Sequence, residues 1–300
     1  TTSTKIWVKV PSIPANSTTT IYVYYGDLSL TTQSNPNQVF EFFDDFETWE
    51  GWVKYGNGQV SQDSTRYYDG QYSAHKTTAN DPNGAYKDIG KTLGREIVLE
   101  FWINRNSGSS GGTVDRVGII DSNGNGYGWS FEHNYDFIGI DKRSDYSGSV
   151  FSTSSASDFM DKWVFARFII SSNGKIKAQR YVDGALNGEV EATDTTYSTF
   201  TRVYIFGGYD YWVDQIKIRK YISPEPSVSV GEETPTSGFP LLSSPYNTSS
   251  SDNTLSAIKW IEVLPSTSTS ILFQLRTSPD NSTWTDWFGP QGTSTYFSSN

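Results

Sequence analysis

The chain has 300 residues, a formal net charge of −10 and a sequence pI near 4.7. This excess of carboxylates disfavours binding to nucleic acid and to anionic membranes, because both require basic surfaces. Cysteine is absent, which excludes disulfides and thiolate chemistry. No apolar run reaches the roughly 18–20 residues of a membrane span, so the sequence predicts no membrane insertion within this segment.

The composition favours β-sheet. The chain contains 10 Trp, 19 Tyr and 17 Phe, and aromatic residues suit the pleated, half-buried surface of a strand. Short alternating runs are separated by turn words such as "SNGNG" and "VDGALNG", while sustained helical spacing is missing. The fold class predicted from these patterns is all-β, with a β-sandwich as its main part.

Four segments follow one another along the chain. Residues 1–38 hold two predicted strands, Lys5–Val10 and Thr20–Tyr25, and we interpret them as the C-terminal fragment of a β domain. Residues 39–222 carry most of the predicted strands and form the main domain. With no initiator Met and no signal peptide, the sequence is interpreted as a piece of a longer secreted or cell-surface protein.

The C-terminal part begins with a Pro/Ser/Glu-rich stretch, Ser223–Gly238, which is typical of an extended linker. Residues 239–300 then form a last, truncated β module. Its predicted strands lie around Ala257–Leu264 and Ser270–Thr277.

Three sequence segments resemble known protein families. "IWVKVPSIPANSTTTIYVYYGD" (Ile6–Asp27) resembles the C-terminal end of the domain of unknown function 2341. The segment from "FFDDFE" to "VDQIKIRKY" resembles a concanavalin-type lectin or laminin-G-like jelly roll, and "TLSAIKWIEVLP" resembles a small β module of the same archaeal and bacterial surface proteins. The resemblance implies an extracellular adhesion or glycan-binding architecture, with a jelly-roll sandwich flanked by fragments of two further β domains.

An acidic cluster lies in the aromatic word "FFDDFE", where Asp44, Asp45 and Glu47 repel one another and resist burial. The first and last strands of a jelly roll are commonly neighbours, which would bring this cluster near Asp214 of "WVDQIKI". Alternation along a strand places Asp45 and Glu47 on one face and Asp44 on the other.

The sequence leaves two ways of compensating the negative charge of this cluster. Modules that this domain resembles often hold a structural Ca²⁺ between these strands, which implies Asp45, Glu47 and Asp214 as its ligands, since calcium takes six to eight oxygens. The alternative is a solvated strand edge or an ion pair of Asp45 with Lys217 or Arg219.

Exposed aromatic residues are candidate stacking surfaces for sugar rings. We predict glycan contacts at two clusters, "GGYDYW" and "GYGW", and a core position for two further tryptophans. The predicted ligand-binding residues are Tyr209, Tyr211, Trp212, Tyr127 and Trp129, and the predicted core residues are Trp102 and Trp163. A binding module would show an exposed aromatic row with Asp, Asn or Arg beside it on one sheet face.

Catalytic motifs are weak. The two His residues have no second His at ligand spacing, and no nucleophile elbow is present. Glu132 and Asp136 of "FEHNYD" lie roughly 13 Å apart along a strand, too far for a retaining glycosidase. We therefore predict no enzyme, and a glycan or cell-surface polysaccharide as the partner. A structural spacer that assembles with copies of itself is the alternative, and a glycoside hydrolase comes third.

Overall fold

The computed structural model describes residues 6–23, 31, 34–57, 59–77, 82–107, 114–132, 135–157, 159–208, 210–231, 245–249 and 271–298. The chain divides into two compact units, Thr1–Val228 and Ser229–Asn300. The described residues include no helix with the length and apolar character needed to cross a membrane.

The described part of the first unit contains one helical turn and fifteen strands. In chain order they are α1 (Pro36–Val39), β1 (Phe42–Asp44), β2 (Trp52–Tyr55), β3 (Val60–Asp63), β4 (Ser73–Lys76), β5 (Gly84–Leu93), β6 (Ile97–Arg105), β7 (Val114–Ile120), β8 (Gly126–Glu132), β9 (Phe137–Ser144), β10 (Ser147–Ser155), β11 (Val164–Ile170), β12 (Lys175–Val182), β13 (Ala185–Thr193), β14 (Phe200–Gly207) and β15 (Tyr211–Lys220).

The strands form two antiparallel sheets, which confirms the predicted all-β jelly-roll sandwich. Sheet A has the order β13-β12-β11-β6-β15-β4-β3, and β1 also pairs with β15. Sheet B has the order β10-β9-β8-β7-β14-β5-β2. Each sheet mixes strands from both ends of the domain, so the span from β1 to β15 is one sandwich.

The last strand, β15, organises sheet A. One edge pairs with β6, while the other edge pairs first with β4 and then with β1. The register shifts between Asp214 and Lys217, and Gln215 has a φ of 51° at this irregularity. The shift lets one strand serve two partners, and it places Asp214 between β4 and β1.

The core lies between the sheets and is built by alternation along the strands. On β6, Leu99, Phe101 and Ile103 enter the core, and Trp102 and Asn104 therefore point to the outer face of sheet A. On β8, Trp129 is fully buried in the core and its indole N–H donates to the carbonyl of Gln179 at 3.1 Å.

The N-terminal segment differs from the prediction. Its described residues 6–23 contain no strand, although strands were predicted at Lys5–Val10 and Thr20–Tyr25. A strand needs a partner edge for its backbone hydrogen bonds, and none is recorded for this segment among the described residues. Trp7 packs instead against Phe40, with ring centroids 5.4 Å apart.

The described part of Ser223–Gly238, residues 223–231, has neither helix nor strand. Its beginning is nevertheless attached to the sandwich, because the carboxylate of Glu225 binds Arg167 of β11 and Arg219 of β15.

In the second unit, the predicted strand Ala257–Leu264 lies outside the described residues. Within Ser270–Thr277 the described residues form isolated bridges rather than a strand, pairing Phe273 with Phe297 and Leu275 with Phe288.

The buried position of Trp129 predicts a stability effect. Replacing Trp129 by Ala should lower the free energy of unfolding by roughly 3–5 kcal/mol, since it leaves a cavity and an unpaired carbonyl. Replacing Phe151, an exposed ring on β10, by Ala should change it by less than about 0.5 kcal/mol. Urea denaturation measures both, and equal effects of the two substitutions would contradict the core position of Trp129.

Candidate ligand-binding site

Two of the predicted sugar-contact residues, Tyr127 and Trp129, are fully buried in the core, so this prediction is wrong. The odd-numbered residues of β8 face the opposite sheet, and the even-numbered glycines face outward. The Tyr127 hydroxyl donates to the carboxylate of Asp194, and it accepts the backbone N–H of Tyr197 at 3.0 Å. No ring face is left for a ligand.

The cluster "GGYDYW" is also buried where the structure describes it. Tyr211 is a core residue whose hydroxyl donates to the carbonyl of Phe206 at 2.9 Å. Trp212 points to the outer face of sheet A but is only 4% exposed. Neither ring can stack on a sugar, so both predictions are wrong. Tyr209 lies outside the described residues.

The tryptophans predicted for the core lie on the outer face of sheet A instead, and both are partly exposed. The Tyr68 ring stacks on Trp102 with centroids 3.7 Å apart, and it meets Trp163 edge-on at 6.1 Å. Tyr67, its neighbour in the β3–β4 loop, is 46% exposed. The exposed aromatic surface is therefore real, but other residues form it.

Two of these rings, Tyr67 and Trp163, line a solvent-open depression of ≈ 570 Å³ on this face. Three chain segments meet there: the β3–β4 loop, the end of β6 and the residues just before β11. They meet because β6 and β11 are antiparallel neighbours, so the end of one strand lies beside the start of the other. The lining residues are Thr65, Arg66, Tyr67, Asn104, Asn106, Ser107, Asp161 and Trp163.

Arg66 organises the polar wall of the depression. Its Nη1 lies 2.8 Å from Oδ1 of Asp161 and donates to Oδ1 of Asn104 at 3.1 Å. The backbone N–H of Ser107 donates to the same Asp161 oxygen at 3.3 Å. Hydrogen bonds from Ser107 and Arg66 lower the pKa of Asp161, so this carboxylate is ionised at neutral pH.

Arg66 tops a stack of three groups. Its guanidinium sits 4.4 Å from the Trp212 ring, and Trp212 stacks on the His75 ring at 4.0 Å. The Trp212 indole N–H donates to Asp63 at 3.2 Å, and His75 Nε2 lies 2.8 Å from Oδ1 of Asp210. Trp212 is thus the packed floor of the site rather than its ligand contact.

Asp44 of the acidic cluster is buried, and protein groups rather than bulk water stabilise its negative charge. Its Oδ1 accepts the backbone N–H of Phe46 at 2.9 Å. Its Oδ2 accepts the indole N–H of Trp52 and the ammonium group of Lys87, each at 2.8 Å. The basic partner is Lys87 of β5.

Asp214 is buried in sheet A and binds the β3–β4 loop. Its Oδ2 accepts the backbone N–H groups of Tyr68 at 2.7 Å and Asp69 at 3.2 Å, while Oδ1 accepts that of Gln215 at 2.6 Å. Burial raises the pKa of Asp214 to about 7, although these three N–H groups act in the opposite direction.

Glu47 binds the other half of the same loop. Its Oε1 accepts the backbone N–H groups of Gln71 at 2.7 Å and Tyr72 at 3.0 Å. The approach is so close that a Cβ on Gly70, which has a φ of +75°, would lie 2.2 Å from this oxygen. Asp45 is not part of the contact, because it accepts the N–H of Glu47 at 3.3 Å.

The first and last strands are therefore neighbours, as predicted. The carboxylates of Glu47 and Asp214, however, accept backbone N–H groups of the β3–β4 loop and do not share a ligand. Within the described ranges, no three His, Cys, Asp or Glu side chains are grouped to hold a metal ion. The three predicted calcium ligands, Asp45, Glu47 and Asp214, do not fit a shared calcium site in this arrangement. The ion pair of Asp45 with Lys217 or Arg219 is not formed either: Arg219 binds Glu100 and Glu225.

The sequence reasoning missed the residues of the β3–β4 loop. Its word "TRYYDGQY" combines three tyrosines with an arginine between two strands, which is an unusual amount of aromatic surface for a turn. That concentration, more than any tryptophan inside a strand, was the available signal.

Comparisons with known proteins agree with part of this description. The family model "Domain of unknown function (DUF2341)" matches residues 1–55, which confirms the resemblance of the N-terminal segment and extends it to β2. An uncharacterized protein, MJ1394 of Methanocaldococcus jannaschii, is 41% identical over 187 residues. The match covers 61% of this chain and 19% of that protein, so the chain spans about a fifth of its relative's length.

Solved structures with a similar fold share little sequence. The carbohydrate-binding module CBM66 from Bacillus subtilis has a TM-score of 0.44 at 14% identity, covering 57% of this chain and 96% of that chain. A protein of unknown function with a galectin-like fold, also from Bacillus subtilis, has a TM-score of 0.42 at 10% identity, covering 60% and 94%. Likenesses at this level carry no functional assignment.

The pKa of Asp214 predicts a pH dependence of stability. A carboxyl group with a pKa of about 7 when folded and ~3.9 when unfolded binds its proton more tightly in the folded state. Its contribution is complete below about pH 4 and is lost as the pH rises through 7. In urea denaturation from pH 4.5 to 8, the free energy of unfolding of the native protein should fall relative to that of Asp214→Asn. A difference that stays constant over this window would contradict the raised pKa.

Calcium is tested separately by thermal melting. Because two carboxylates with N–H partners fall short of the six to eight oxygens that calcium takes, we expect the same Tm in EDTA and in millimolar calcium. A Tm that rises with calcium would restore the metal predicted from the sequence, since an ion bound only to the folded state stabilises it. Magnesium at equal ionic strength is the control.

Proposed function

We propose that the sandwich is a non-catalytic glycan-binding module of a secreted or cell-surface protein, and that it binds neutral sugar in the depression around Arg66. The observation that carries the proposal is the combination, in one open site, of exposed aromatic rings with polar groups that both donate and accept hydrogen bonds. A sugar presents the same combination: apolar C–H faces and hydroxyl groups that are each a donor and an acceptor.

The free hydrogen-bonding groups match hydroxyls. The Asp161 side chain is 44% exposed and offers an acceptor. The amide nitrogen of Asn104 has no hydrogen-bond partner among the described residues and offers a donor. Tyr67, also without a partner in the described part of the chain, offers its ring for stacking. Trp163 lines the opposite side of the same depression.

The charge of the site favours a neutral ligand. Arg66 is its principal cation and is already paired with Asp161, while the carboxylates of Asp63 and Asp210 lie just beneath. A uronate, sulfate or phosphate group would meet the ionised carboxylate of Asp161, which lines the depression, and like charges repel.

The arrangement gives less support to catalysis. Asp161 is neutralised by Arg66, and His75 lies under the Trp212 ring between two carboxylates. Glu132, the hydrolase candidate of the sequence, is buried on sheet B and accepts the N–H of Tyr135 at 2.7 Å. These contacts do not place a catalytic pair of carboxylates at the depression.

The test is binding to immobilised neutral polysaccharides, namely cellulose, xylan, mannan, chitin and starch, with polygalacturonate and heparin as anionic probes. We expect the native protein to bind at least one neutral polymer and neither anionic one. Tyr67→Ala and Asn104→Ala should each weaken binding by about tenfold, since one aromatic or polar contact contributes ~1–1.5 kcal/mol.

The matched control is Phe151→Ala, which removes an equally exposed ring from the other sheet and should bind as the native protein does. No binding to any polymer, or binding that Tyr67→Ala and Asn104→Ala leave unchanged, would contradict the proposal and favour a structural spacer.

A further inference from the structure

A row of aromatic side chains leads away from the depression across sheet A. Tyr181 of β12 is the cross-strand partner of Phe165 of β11, and Phe165 is the partner of Trp102 of β6. Their ring centroids are 5.9 Å and 5.4 Å apart, and Tyr68 stacks on Trp102 at the depression. We name Tyr181, Phe165, Trp102 and Tyr68 the aromatic strip.

The strip lies on the outer face of sheet A, away from the core. Because its strand residues are cross-strand partners, the strip runs at right angles to the strands. The residues that precede or follow them along each strand, such as Phe101 and Ala166, point into the core. Tyr68 is 43% exposed and the other three rings are partly exposed. Neighbouring strands are ≈ 4.8 Å apart, so the three strands from β12 to β6 span about 10 Å before Tyr68 is added.

A polar row runs parallel to the strip. Gln179, Arg167, Glu100 and Lys217 are cross-strand partners in the next register position, on β12, β11, β6 and β15. Three of them are buried, and Arg167 binds the carboxylates of Glu100 and Glu225. On the other side of the strip lie Asn104 and the depression. The strip therefore runs from the open depression along a border of packed, paired polar side chains. It offers ring faces of the kind on which the apolar faces of successive sugar rings stack.

We propose that the aromatic strip extends the depression into one groove, and that the ligand is the interior of a linear polysaccharide rather than a terminal mono- or disaccharide. This inference rests on the proposed function and specifies its ligand class. The depression anchors one sugar ring between Tyr67 and Trp163, and each further ring of the same chain contacts the strip at Trp102, Phe165 or Tyr181.

The groove predicts that affinity depends on chain length. Isothermal titration of the full chain with cello-, xylo-, manno-, chito- and malto-oligosaccharides of two to six residues should give, in the series that binds, a hexamer at least about tenfold tighter than the dimer. Tyr181→Ala and Phe165→Ala should remove most of that gain and leave dimer affinity within about twofold. Trp163→Ala should weaken dimer and hexamer alike.

The variants distinguish failure of the proposed groove from failure of the proposed binding site in the depression. Equal affinity for dimer and hexamer, or a hexamer affinity that Tyr181→Ala and Phe165→Ala leave unchanged, would overturn the groove while the depression stands. Dimer and hexamer binding that Trp163→Ala leaves unchanged, or no binding of any series, would overturn the depression and the groove with it. Thermal melting of each variant checks the fold, and Tyr181→Leu, which keeps apolar bulk but no ring, tests stacking if Tyr181→Ala unfolds.

Discussion

The structure of the proposed binding face depends on two carboxylates that accept backbone N–H groups of one loop. Asp214 comes from the last strand and Glu47 follows the first, and between them they bind four of the five amides from Tyr68 to Tyr72. A loop without strand partners must satisfy its amides in another way. Here the two ends of the sandwich supply the acceptors, so closing the domain also shapes the loop that carries Arg66 and Tyr67.

The side chain at the centre of the site is also held on several sides, although it lies in a loop. Arg66 is held by Asp161 and Asn104 on one side and by the Trp212 ring underneath. Trp212 is in turn fixed by His75 and Asp63. A ligand of the proposed site would meet groups already oriented, so little side-chain entropy would be lost on binding.

Much of the fold could be predicted from the sequence. Alternating runs and Gly/Asn turns were sufficient for an all-β sandwich, and the charged word "FFDDFE" led correctly to the neighbourhood of Asp214. The partners of these carboxylates could not be predicted, because backbone N–H groups carry no sequence signal. The calcium ion inferred from resemblance does not fit the arrangement of Asp45, Glu47 and Asp214 among the described residues, and thermal melting with calcium tests it.

The individual aromatic residues were the least predictable part. Nearly all residues of β6 and β8 are buried, on both faces of each strand. Alternation therefore shows which neighbours lie on the same face as Trp102 or Trp129. It does not show which of the two faces meets the core. The structure places Trp129 inside and Trp102 outside, the reverse of the prediction. Glycines at 126 and 128 were the overlooked signal, because side chains of the opposite parity then had to fill the core.

Amide hydrogen exchange measured by NMR tests the central claim, that Glu47 and Asp214 hold the β3–β4 loop. We expect slow exchange at Tyr68, Gln71 and Tyr72, and fast exchange at Tyr67, whose amide has no acceptor among the described residues. In Glu47→Ala, which removes the acceptor, protection should fall at Gln71 and Tyr72 but persist at Tyr68. Uniformly fast exchange through the loop of the native protein, or protection that Glu47→Ala leaves unchanged, would contradict the claim.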